Sequence, residues 1–63
     1  MKYQPVIQKI NCWKEIGQVF NNLSTAQEEA ERMFKNTNAD VAFIYFIPTK
    51  KNEWAEYQEW CKR

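Results

Sequence analysis

Histidine is absent from this 63-residue chain, and glycine occurs once, as Gly17. The first absence removes the side chain that most often exchanges protons near neutral pH and binds zinc. The second removes the glycine-rich loop that lets a backbone wrap around phosphate. Two cysteines, Cys12 and Cys61, are too few for a disulfide framework. Without histidine they complete no tetrahedral zinc site unless carboxylates or a second subunit contribute. No metal and no cofactor are expected.

Charge of one sign is also missing. Nine Lys and Arg stand against eight Asp and Glu, a formal net charge of +1. Proteins that bind the nucleic-acid backbone through bulk charge carry a basic excess that is not found here. Nowhere does an apolar run approach the roughly 18 residues of a membrane span. The opening MKYQPVIQK lacks the apolar stretch of a signal peptide. The expectation is a cytoplasmic protein, off the membrane, with both cysteines as thiols. If the chain were exported, a Cys12 to Cys61 bridge would contribute roughly 4 kcal/mol by closing so long a loop.

Aromatic residues are plentiful: three Trp, three Tyr and four Phe, within a hydrophobic fraction of 44%. A single domain of this size buries only about 60% of the surface its unfolded chain exposes, so its stability margin is thin. A heavy apolar load per residue is one remedy, and a partner or second copy is another.

Residues 3–10 (YQPVIQKI) alternate β-branched and polar side chains and read as a first strand. Residues 11–14 form a turn, and residues 15–20 (EIGQVF) a second strand, with Gly17 as a bulge or point of close approach. Asn21 and Asn22 break that strand. Residues 23–28 (LSTAQE) open a helix, with Ser24 or Thr25 as cap and Gln27 or Glu28 reaching back. Its apolar stripe is Ala26, Ala30, Met33 and Phe34; its carboxylates come early and Arg32 and Lys35 late, as the helix dipole favours. Residues 36–38 (NTN) end it.

Val41 to Ile47 is a strand with no polar parity, closed by Pro48, and both its faces need cover. Lys50, Lys51 and Asn52 form a polar turn. The last segment, residues 53–63 (EWAEYQEWCKR), fits either a strand or a helix that gathers Trp54, Tyr57, Trp60 and Cys61 on one side. The short turn before it favours the strand. The expected fold is α+β: an antiparallel sheet built β-β-α-β-β in spatial order 2-1-3-4, with one helix on one face. Pro5 opposes a central place for the first strand, because it lacks an amide to donate. Either pairing starts after it or a bulge absorbs it.

Catalysis finds little support. Ser24 and Thr25 are used as caps, and no histidine can activate a nucleophile. Glu53, Glu56 and Glu59 have the residue type of a glycosidase pair, but a layer this thin offers no cleft to dry a sugar. Trp54, Tyr57 and Trp60, set among Lys50, Lys51, Lys62 and Arg63, share the aromatic and basic design of single-strand nucleic-acid binders. The interleaved carboxylates oppose phosphate. One helix covers one sheet face, so if residues 53–63 are a strand, aromatics from Val41 to Ile47 and from Trp54 to Trp60 form a partly exposed patch on the other, as interaction surfaces do; a helix there covers that face instead.

A hairpin, a helix opening Leu23-Ser24-Thr25-Ala26-Gln27, the apolar strand Val41 to Ile47 and the tail from Asn52-Glu53-Trp54 through Tyr57 cover over half the chain. In this architecture it resembles small phage and mobile-element inhibitors, in particular anti-CRISPR proteins directed at type I effector complexes. The resemblance implies a non-enzymatic protein that binds a host nuclease or surveillance subunit and blocks access to guide or target nucleic acid. Trp54, Tyr57 and Trp60 are the expected anchors, with Lys50 and Lys51 at the rim. A small single-stranded nucleic-acid binder and a homodimeric, antitoxin-like regulator are the alternatives. No small-molecule substrate is expected.

Overall fold

The protein is described by a computed structural model covering residues 1–49 and 56–62. Four antiparallel strands, β1 (Lys2–Lys9), β2 (Trp13–Ile16), β3 (Val41–Ile47) and β4 (Glu56–Lys62), lie in the order β2-β1-β3-β4, with helix α1 (Leu23–Lys35) between β2 and β3 in the chain. The expected topology is the observed one, and the segment read as either strand or helix is a strand over residues 56–62. Lys50, Lys51, Asn52, Glu53, Trp54, Ala55 and Arg63 lie outside the described residues.

The β1–β2 hairpin corrects the sequence reading. The second strand was expected over residues 15–20, yet β2 occupies residues 13–16, and only Phe20 returns to the sheet, through a bridge to Tyr3. A three-residue turn explains the shift. Asn11 takes a left-handed φ of 62° and the Cys12 N–H donates to the Lys9 carbonyl at 2.9 Å, so pairing resumes at once with Lys9 opposite Trp13. Asparagine tolerates that conformation better than most residues, and Asn11 stands at the third position of the Lys9–Cys12 turn, where a type II turn requires a positive φ.

Pro5 keeps its central place without a bulge. It stands opposite Ile44 in the β1–β3 ladder, and its carbonyl accepts the Gly17 N–H at 2.8 Å. A strand residue turns its N and its C=O to the same side, so the missing N–H of Pro5 faces β2's side just past the end of that strand. The Gly17 carbonyl, left without that donor, accepts instead from Nε2 of Gln4 at 3.0 Å. Gly17 is the point of close approach anticipated from sequence. A Cβ there would lie 3.0 Å from Cγ of Pro5 and 3.2 Å from Sδ of Met33.

Helix α1 begins two residues earlier than a Ser24 cap would place it. Asn22 is the cap, its Oδ1 accepting from the N–H of Ser24 at 2.9 Å and of Thr25 at 3.4 Å. Ser24 and Thr25, the caps expected from sequence, are therefore the residues being capped. This register puts Leu23 inside the helix, packed against the core. At the far end Oγ1 of Thr37 donates to the Met33 carbonyl at 3.0 Å. On the solvent side the Arg32 guanidinium pairs with Glu29 and holds its carboxyl below the usual value.

The core forms where α1 crosses β1, β3 and β4. Ala26, Ala30 and Met33 meet Ile7, Ala42 and Ile44 of the sheet, and Ala39 closes the end. Alanines on both layers bring helix and sheet close together, so the larger Ile7 and Ile44 are fully buried. Each such isoleucine contributes about 1.5–3 kcal/mol. Tyr3 and Phe46 seal the same side edge to face, with ring centroids 5.5 Å apart.

Candidate interaction face

Side chains alternate across each strand, so the residues between those that touch α1 point the other way. On β1 these are Gln4, Val6 and Gln8; on β3, Val41, Phe43, Tyr45 and Ile47. Register brings Ile16 and Lys14 of β2 beside Val6 and Gln8, and Tyr57 of β4 opposite Tyr45. None of the described elements covers this face. Val6 alone is fully buried there, enclosed by its neighbours Ile16 and Phe43 on the flanking strands.

Three rings form one cluster on the uncovered face. Phe43 and Tyr45 meet edge to face at 5.3 Å and 76°, Phe43 and Tyr57 at 5.8 Å and 61°, and Tyr45 and Tyr57 at 6.4 Å and 78°. These are preferred geometries for aromatic pairs. The Lys14 ammonium lies over the Tyr45 ring, 5.9 Å from its centroid. Between the rings lies an open depression of about 280 Å³, to which Ile10 and Val41 add aliphatic lining and Gln8 and Glu59 the polar groups. Tyr57 is 67% exposed.

Of the five anchor and rim residues expected from sequence, Lys50, Lys51 and Trp54 lie outside the described residues. Tyr57 is in the ring cluster, while Trp60 is on the opposite side of the sheet. Alternation alone puts residues three apart on opposite faces, and a bulge between Ala42 and Phe43 follows: Cys61 pairs with Ala42 and Glu59 with Phe43, leaving Trp60 as the extra residue. Its indole N–H donates to Oε1 of Glu31 on α1 at 3.0 Å. Trp60 thus ties the edge strand to the helix, and Cys61 packs beside it against the core. Burial and the nearby Glu31 raise the Cys61 thiol above its ordinary pKa. Cys12 sits exposed in the hairpin turn, and both cysteines are free thiols.

Phe43 and Tyr45 belong to the site; the sequence places them on one face of a strand whose aromatics are expected in the exposed patch, but does not single them out as anchors. Their shared parity with Tyr57 was readable once residues 56–62 were taken as a strand paired with β3. Among the described residues no group of three or more Cys, Asp and Glu is placed to hold a metal ion, and no helix is long and apolar enough to cross a membrane. No protein-family model matches the chain, and neither a curated protein nor a solved structure matches it.

Proposed function

We propose that this is a non-catalytic binding protein that docks its uncovered sheet face on a partner protein and inhibits the partner by occupying its surface. The observation that carries this is the cluster of Phe43, Tyr45 and Tyr57, held edge to face on the side of the sheet away from α1, with Tyr57 largely exposed. Rigid aromatics of this kind supply much of the affinity of protein interfaces, because they bury a large area and lose little side-chain entropy. The inhibitory role and the target class, a nuclease or CRISPR effector complex of the host, come from the architectural resemblance. In that role Tyr57 is an anchor, while Trp60 on the helix side braces β4; Lys50, Lys51 and Trp54, expected at the contact from sequence, lie outside the described residues.

Lys14 and Lys62 lie on the same face as the rings and favour a second reading, the binding of single-stranded nucleic acid. Glu59 in the ring depression opposes it. Affinity capture from a host lysate, with and without nuclease treatment, separates the two. For a protein partner, wild-type protein and the helix-face variant Glu28→Ala retain the same nuclease-resistant band, and Tyr57→Ala loses it. Capture indifferent to Tyr57→Ala, or abolished by nuclease, would overturn the proposal.

A further inference from the structure

We infer that the depression between Phe43, Tyr45 and Tyr57 receives the guanidinium of an arginine on the partner protein, with Glu59 as the paired carboxylate. This rests on the docking face proposed above and names the chemistry it recognises.

Aromatic faces carry negative electrostatic potential and attract cations. The three rings stand at 61° to 78° to one another, so faces and edges of different rings border a single hollow. One face is already engaged in this way, since the Lys14 ammonium lies 5.9 Å from the Tyr45 centroid. The lining of the hollow contains a carboxylate, Glu59, and an amide, Gln8, and no basic residue. With a volume of about 280 Å³, it lies just under the range of roughly 300–1,000 Å³ typical of small-molecule pockets. A single inserted side chain suits it better than a whole ligand.

Charge selects among occupants. An apolar side chain would cover Glu59 and strip it of water without supplying a partner, which is costly. A phosphate would approach the same carboxylate and be repelled. A cation meets ring faces and a counter-charge together. Arginine suits this combination better than lysine: its planar guanidinium stacks on a ring while its N–H fork reaches a carboxylate through two hydrogen bonds, and it is less strongly hydrated than an ammonium. Lys14 and Lys62 stand at the edges of the same face, where they weaken the attraction and do not enter the lining.

The test is an NMR titration of the full chain with acetyl-Gly-Arg-Gly-amide, its neutral citrulline counterpart and oligothymidylate, read on the ring protons of Phe43, Tyr45 and Tyr57. The arginine peptide should shift these signals and bind roughly five-fold more tightly than the citrulline peptide. Glu59→Gln, which leaves the rings in place, should erase that difference, and Lys14→Ala should strengthen arginine binding by removing a competing cation. Equal binding of arginine and citrulline peptides, or an unchanged preference in Glu59→Gln, would overturn the inference. So would oligothymidylate shifting the same signals with Lys14→Ala weakening it. If the inference fails while capture from lysate still depends on Tyr57, the docking face stands and only its arginine specificity falls; loss of both removes the face as well.

Discussion

The indole of Trp60 donates to the Glu31 carboxylate at 3.0 Å, and so binds the outer strand of the sheet to the helix beneath it. Three residues earlier on the same strand, Tyr57 points to the other side and joins Phe43 and Tyr45. One strand therefore divides its aromatics between holding the fold and presenting a surface. The two roles give different outcomes on substitution. Trp60→Phe removes the hydrogen bond and should cost about 0.5–1.5 kcal/mol, whereas Tyr57→Ala, at an exposed site, should cost less in stability and more in binding. Urea denaturation of both variants, set beside partner capture, measures each part.

Gly17 is hemmed in by Pro5 and Met33. A methyl group added there crowds the Pro5 ring and carbonyl and the Met33 sulfur, which must each give by a few tenths of an ångström. Gly17→Ala should destabilise the protein by about 1–3 kcal/mol, the usual cost of overpacking. In a domain this small each kcal/mol lowers the midpoint by roughly 4–8 °C. Thermal unfolding followed by circular dichroism gives the number, and an unchanged midpoint would mean that the contact relaxes without cost.

Capping of α1 is assigned to Asn22 by its bonds to the amides of Ser24 and Thr25. Asn22→Ala should cost about 1 kcal/mol, within the roughly 0.5–2 kcal/mol found for such caps. Ser24→Ala should cost distinctly less, because it removes only the exposed hydroxyl's bond to Asn22 Oδ1 and keeps the backbone N–H that the cap satisfies. Reversal of that order would restore Ser24 as the cap.

The order 2-1-3-4 was legible because β3 follows a crossing helix and must pair antiparallel to β1, and the stripe of Ala26, Ala30, Met33 and Phe34 fixed which side of α1 faces inward. Details set by single side chains were not. Asn21 and Asn22 before Leu23, and Ser24 and Thr25 after it, offer several caps, and only the packing of Leu23 against the core selects Asn22. The left-handed Asn11 moves β2 two residues towards the N-terminus, which composition alone does not reveal. The bulge at Trp60 is less visible still. Strict alternation already separates Trp60 from Tyr57, but it also places Cys61 with Tyr57, and the extra residue returns Cys61 to the core side. Phe43 and Tyr45 were not singled out in a strand apolar on both faces, and became site residues only when α1 was seen to cover the other one.

The two thiols should differ in reactivity. Cys12 is exposed in the turn, while Cys61 is partly buried and its thiol pKa is raised by desolvation and by Glu31. A raised pKa leaves less thiolate at a given pH, and thiolate is the reactive form. Iodoacetamide at pH 8 should therefore modify Cys12 first. Labelling of Cys61 should require a higher pH than that of an ordinary thiol, and unfolding in urea should bring the two rates together. Mass spectrometry of partly labelled protein resolves the sites.

Which face meets the partner is tested most directly by titrating isotope-labelled protein with the captured partner and following methyl and ring signals on both sides of the sheet. Broadening or shifts should concentrate at Phe43, Tyr45, Tyr57 and the neighbouring Val41, with Ala26, Ala30 and the exposed side of α1 unaffected. Perturbation confined to α1, with the Tyr45 and Tyr57 rings unchanged at saturation, would contradict docking through the uncovered sheet.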